Sequence, residues 1–171
     1  YIVPGDRIKL RNLWYGLLLR SGNDSAVVIA KNVAGSEEEF VNLMNKKAKD
    51  IGMKNTVFNN PHGLDEETEN KSSAYDMALL STYANTLDEY RKISGTYKWN
   101  VKVNDRAYIW YNRNKLLKKY SYATGGKTGY TPRAGRTLVT TASKGGLNLT
   151  AVSLNDGNEY EDHKSLYEYA F

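Results

Sequence analysis

Gly125-Gly126-Lys127-Thr128-Gly129-Tyr130-Thr131 packs one cation, three hydroxyl side chains and three glycines into seven residues. β-branched Thr128 and aromatic Tyr130 favour an extended strand, and Gly129 suits a place where another backbone comes close. A strand edge offering an ammonium, hydroxyls and a free backbone N–H can hold a peptide carboxylate and stabilise an oxyanion. Alone, the stretch reads equally well as a lysine-bearing surface strand beside a glycine turn. A second candidate lies 106 residues upstream. Ser21-Gly22-Asn23 sets a hydroxyl and a side-chain amide at a helix junction, and alone it too reads as a turn. A third is Arg113, in Asn112-Arg113-Asn114. Its guanidinium can fork onto both oxygens of a carboxylate, although it also heads a basic run with Lys115, Lys118 and Lys119.

Ser-x-Asn followed by Lys-Thr-Gly is the order of two motifs of the penicillin-recognising serine enzymes, whose remaining motif is Ser-x-x-Lys. Further blocks run with them: Leu13 to Asp24 (LWYGLLLRSGND), Thr56 to Asp65 (TVFNNPHGLD), Ser72 to Leu79 (SSAYDMAL), Asn112 to Leu117 (NRNKLL) and Gly126 to Gly135 (GKTGYTPRAG). On these residues the sequence resembles the low-molecular-mass penicillin-binding proteins that act as D-alanyl-D-alanine carboxypeptidases, serine peptidase family S11. One departure stands out, because no serine has a lysine three residues on. In the family, nucleophile and lysine lie upstream of the Ser-Gly-Asn triplet. The expectation is that residues 1–171 form a single but partial catalytic domain without that segment. Alone it is expected to be inactive, and to be completed by the missing segment or a swapped copy.

The resemblance implies the roles. Ser21 relays a proton towards the leaving amine, and Asn23 orients the substrate amide or the absent lysine. Lys127 sets a positive field and holds Ser21. The hydroxyls of Thr128 and Thr131, with Arg113, receive the terminal carboxylate. The Tyr130 backbone N–H forms half of the oxyanion hole, and Gly129 leaves the strand bare where ligand pairs against it. The implied substrate is a peptidoglycan stem peptide ending in D-Ala-D-Ala, and the implied acylating inhibitors are β-lactam antibiotics. The implied location of the protein is extracytoplasmic, at the outer face of the cytoplasmic membrane or secreted. No cofactor is implied. A zinc peptidase needs three protein ligands, and His62 with Asp65 supplies at most two nearby. A class A β-lactamase needs a dedicated glutamate, and no Glu-x-x-Leu-Asn is present. A non-catalytic wall-binding scaffold of the same fold is the other alternative. Tyr108, Trp110, Tyr111 and Tyr120 beside the basic run resemble a nucleic-acid surface, but aromatics on strands more often pack a sheet, so no nucleic-acid partner is expected.

Positioning these residues requires a domain with a real core. The 171 residues suffice, with 40% hydrophobic and 25% charged residues, a net charge of +5 and no cysteine. Apolar spacing predicts helices over 8–19 and 26–33. A capping box at Ser36 and Glu39 opens a third helix to about Asp50. Ser73 with Asp76 starts another to about Ala84, and Thr86 a short one. Residues 96–103 and 107–111 flank Asn104-Asp105 as a hairpin. The lysine strand follows, then strands at about 135–143 and 147–155, and a closing helix over 158–170. Helices first and antiparallel strands afterwards make an α+β fold. By resemblance this is a penicillin-binding-protein/β-lactamase-like transpeptidase fold, a helical cluster beside an antiparallel sheet.

Overall fold

A computed structural model describes residues 2–171; Tyr1 of the expected 1–171 unit lies outside the described residues. The helical part comes first: α1 (Leu10–Arg20), α2 (Asn23–Ala34), α3 (Glu37–Asp50), α4 (Ala74–Ala84) and α5 (Asp88–Ser94). A hairpin follows, β1 (Lys98–Val103) and β2 (Arg106–Tyr111), then one turn of helix, α6 (Leu116–Lys119). Strands β3 (Ala123–Thr131), β4 (Gly135–Lys144) and β5 (Leu147–Leu154) lead to the closing helix α7 (Glu159–Ala170). The order is α+β. Among the described residues no helix is long and apolar enough to cross a membrane.

Two serine caps start helices where the sequence places them. Ser36 Oγ accepts the Glu39 N–H at 3.0 Å, and Ser73 Oγ accepts the Asp76 N–H at 3.1 Å. Asp76 is buried in the first turn of its helix. Its carboxylate accepts from Asn55 N at 2.7 Å and Thr56 Oγ1 at 2.8 Å, fastening the 50s loop to α4. Burial opposes its charged form, but the hydrogen bonds outweigh burial and hold the carboxyl below its ordinary value.

Trp99 and Trp110 face each other across the β1–β2 hairpin and pack against the cluster of Tyr15, Leu19 and Ile93. Tyr15 of α1 stacks on Trp99 with ring centroids 3.8 Å apart, a contact worth about 1 kcal/mol beyond burial. The hairpin aromatics thus clamp α1, which carries Ser21 at its end. The second sheet is antiparallel with order β3-β4-β5, so β3 is an edge strand. Tyr167 of α7 crosses beneath it among Leu116, Tyr120, Ala142 and Ala151. Its hydroxyl donates to the Thr140 carbonyl at 2.7 Å and accepts from Ala151 N at 3.2 Å. Thr140 Oγ1 lies 2.7 Å from His163 Nδ1, whose other ring nitrogen lies 3.1 Å from Ser153 Oγ.

Two details depart from the sequence expectation. The helix expected over 26–33 begins earlier, at Asn23, because the break needs only Ser21 and Gly22. α6 was not expected at all. The basic run at 115–119 coils because Asn114 Oδ1 accepts the Leu116 N–H at 3.0 Å and Leu116 is fully buried.

Candidate active site

Ser21 ends α1 in the left-handed conformation, φ 56° and ψ 46°. The Ser21 N–H donates to Leu17 O at 3.0 Å, the single bond of an αL cap, and the Gly22 N–H donates to Gly16 O at 3.1 Å. Glycine is the usual residue there, and a side chain costs about 1 kcal/mol. Serine at that position is therefore a strained choice that places a hydroxyl at the turn between α1 and α2.

Lys127 arrives from β3 and donates its ammonium to Ser21 Oγ and to the Thr128 carbonyl. Because lysine has only protons to give, Ser21 must accept, which leaves the serine's own proton free for another acceptor. Burial, with the Arg113 charge as a second cause, lowers the Lys127 pKa to about 8. The glycines before it serve close packing. A Cβ on Gly125 would lie 2.6 Å from Ser94 Oγ, and one on Gly95 would lie 2.5 Å from Thr124 O, so α5 ends against bare β3 backbone. Gly126 holds φ +136° beside a register shift between Ala123 and Gly125.

The 112–114 loop lies between these elements. Asn112 Nδ2 donates to Ser94 O at 2.9 Å and Thr96 O at 3.1 Å, Arg113 N to Leu19 O at 3.1 Å, and Asn114 Nδ2 to Gly125 O at 3.1 Å. Arg113 is thereby fixed by its backbone while its side chain stays exposed. Asn23 is exposed on the first turn of α2; Thr128 is half-buried, Gly129 exposed, and Tyr130 69% exposed at the outer end of β3. Thr131 is differently disposed from the carboxylate-binding expectation. It is only 9% exposed, its hydroxyl donates to Asp65 Oδ2 at 2.6 Å and accepts the Ala134 N–H at 2.9 Å. Its single proton is thus spent on Asp65 of the 60s loop, while its oxygen closes the β3–β4 turn.

The sequence matches the D-alanyl-D-alanine carboxypeptidase family, peptidase S11, over residues 1–158. The chain belongs to this family. It is 42% identical to the D-alanyl-D-alanine carboxypeptidase DacF of Bacillus subtilis over 153 residues, 89% of this chain and 39% of that protein. It is 34% identical to DacC of Escherichia coli over 176 residues, covering 100% of this chain and 43% of the relative. The crystal structure of a D-alanyl-D-alanine carboxypeptidase from Mycobacterium tuberculosis superposes with TM-score 0.93 at 29% identity, covering 100% of this chain and 67% of that one. A serine-to-alanine mutant of the Streptomyces K15 DD-transpeptidase superposes with TM-score 0.93 at 28% identity, covering 99% and 70%. The fold is therefore that of the penicillin-binding and DD-transpeptidase structures. This chain spans about two fifths of the length of those curated relatives.

Within this peptidase S11 chain, the structure brings Ser21 and Lys127 into contact and sets Arg113 near enough to Lys127 to act on its charge. Sequence reasoning gave Asn112 and Asn114 no role of their own and weighed Asp65 only as a zinc ligand beside His62. Asp65 sits in the His62-Gly63-Leu64-Asp65 segment, a loop braced by Asn60, whose Oδ1 accepts Gly63 N at 2.6 Å and whose Nδ2 donates to Leu64 O at 2.9 Å. Arg113, between the buried Asn112 and Asn114, carries no periodic signal; its guanidinium chemistry and its place in the NRNKLL block marked it.

Proposed function

We propose that this chain supplies the substrate cleft of a serine-type D-alanyl-D-alanine carboxypeptidase acting on peptidoglycan stem peptides at the outer face of the cytoplasmic membrane. The nucleophile is a serine of a Ser-x-x-Lys segment outside these 171 residues. Its oxygen attacks the carbonyl of the penultimate D-Ala, and the tetrahedral intermediate collapses by expelling the terminal D-Ala amine. The proton leaving the nucleophile must reach that amine. Ser21, whose own proton is left free by the Lys127 bond, delivers one to the leaving nitrogen and is recharged through the site. Water then hydrolyses the acyl-serine.

Binding follows from the edge strand. A peptide laid antiparallel along β3 gains backbone hydrogen bonds on a side where, among the described residues, no strand competes. The Thr128 carbonyl faces the Lys127 ammonium, and in an antiparallel ladder residues two apart point their backbone groups the same way. That geometry aims the Tyr130 N–H at the same free edge, where it serves as half of the oxyanion hole. Thr128 and Arg113 receive the terminal carboxylate in the field of Lys127, and Asn23 orients the substrate amide. Thr131 holds the turn and is not part of the carboxylate grip.

One observation carries this reading: the bond between Lys127 and Ser21, which joins two motifs 106 residues apart. The test is intact-mass spectrometry of the longer protein containing this chain after incubation with a penicillin. A single penicilloyl adduct on a serine upstream of Ser21, released slowly, supports an acyl-serine carboxypeptidase. An unmodified mass contradicts it and favours a wall-binding scaffold; rapid turnover of the penicillin favours a β-lactamase.

A further inference from the structure

Residues 112–114 tie together the ends of three elements that sequence distance keeps apart. Asn112, buried, spends both amide protons on the Ser94 and Thr96 carbonyls at the end of α5, and its oxygen accepts Asn114 N at 2.9 Å. Arg113 N holds the Leu19 carbonyl, two residues before Ser21. Asn114, 1% exposed, reaches the Gly125 carbonyl, two residues before Lys127. The Gly125 carbonyl sits where β3 slips register against β4, next to the Gly126 backbone at φ +136°. A one-residue slip of a strand sends each side chain to the other face, so whatever fixes this irregularity fixes where Lys127 points.

We propose that Asn114 is a positioning residue for Lys127: its side-chain amide pins the Gly125 carbonyl, sets the register of β3 past its bulge, and so holds the ammonium against Ser21. The other half of the same amide accepts the Leu116 N–H, so α6 anchors Asn114 from behind. Arg113, between the two asparagines, is carried on the same rigid loop, with its carbonyl accepting from Tyr160 OH at 3.1 Å. One short loop therefore sets the separation of Ser21, Lys127 and Arg113. The link from this loop to turnover rests on the carboxypeptidase reading; the geometric claim does not.

The variants are Asn114→Ser and Asn114→Leu in the full-length protein. Serine retains an acceptor for Leu116 N but is too short to reach Gly125, and it decides the matter if the leucine variant does not fold. The control is Asn45→Ala. Asn45 also makes two loop bonds, to Phe58 O at 2.7 Å and from Phe58 N at 2.8 Å, but it sits on α3. The readout is the NMR titration of the ¹³Cε resonance of Lys127, assigned by its loss in Lys127→Arg. Freed from its buried place beside Ser21, the ammonium regains solvent, and its midpoint rises by about half a unit or more in the Asn114 variants while Asn45→Ala titrates as the parent does. An Asn114→Ser protein that titrates Lys127 at the parent midpoint overturns the proposal. So does an equal shift in Asn45→Ala, which would mark general loosening. Penicillin acylation, measured alongside, separates the two ideas. A shifted midpoint in a protein that never acylates keeps Asn114 as the holder of Lys127 and removes the carboxypeptidase reading.

Discussion

Replacing Lys127 by methionine should make the protein more stable at neutral pH while removing its chemistry. The Lys127 pKa lies at about 8 against an ordinary 10.5. At about 1.4 kcal/mol per unit, the buried ammonium costs at most roughly 3.4 kcal/mol. Solvent screening of this half-buried group reduces that to about 2 kcal/mol. Methionine fills similar volume but leaves Ser21 Oγ without its donor, a loss of about 1 kcal/mol. The net expectation at pH 7 is a gain of about 1 kcal/mol. The sign follows from linkage. Below about 8 the lysine is charged in both folded and unfolded states, and the cost of burying it is complete. Between about 8 and 10.5 the folded state releases its proton first, so the cost disappears and the parent gains stability with rising pH. At pH 10, still just below the unfolded value, most of that cost is gone and the methionine variant should be the less stable, by about 0.5 kcal/mol. Urea unfolding at pH 7 and pH 10 measures both differences. A methionine variant destabilised equally at both pH values would refute the claim that Lys127 is held as a desolvated cation.

Three further outcomes follow from individual contacts. Ser21→Gly relieves the left-handed backbone strain but loses the Lys127 partner, so stability should stay within about 1 kcal/mol of the parent while D-Ala release falls about 100-fold or more, read by chemical denaturation and by kinetics. Tyr167→Phe deletes a hydroxyl bonded to Thr140 and Ala151, and should cost about 1–3 kcal/mol. Burial pushes that phenol up to about 12, so its contribution is whole below pH 10 and lost as pH climbs towards 12; the parent should lose stability more steeply than the phenylalanine variant over that range. Asp76→Asn should lower the melting temperature at pH 7. Because the Asp76 carboxyl is held below its ordinary 3.8, its contribution is present above that value and lost as pH falls through the folded pKa, so the gap between parent and variant should close in acid.

The parts of the fold written locally were readable from the sequence. Ser36 and Ser73 announce their helices because a cap is a contact between neighbours three residues apart. The Asn104-Asp105 turn and the Lys144-Gly145-Gly146 turn fix their hairpins for the same reason. The site was readable only as spaced motifs joined by resemblance. Nothing in composition or periodicity says that Lys127 reaches Ser21, since that contact exists only after α1, β1, β2 and β3 have packed. What escaped was long-range and polar. Asn114 looks like any loop asparagine until Gly125 is brought to it. Thr131 looks like a ligand hydroxyl until Asp65, 66 residues away, claims its proton. The 115–119 run looks like a solvated basic surface until Leu116 is buried and Asn114 caps it.

The central claim is that Lys127, held against Ser21, makes this cleft a D-Ala-D-Ala peptidase site. Release of free D-alanine from a peptide ending in D-Ala-D-Ala, by the longer protein and by its Lys127→Met variant, tests it most directly. The account predicts steady release by the parent, none from the same peptide ending in L-Ala, and a loss of about 100-fold or more in the folded variant. A parent that releases no D-alanine, or a methionine variant that matches it, would contradict the account.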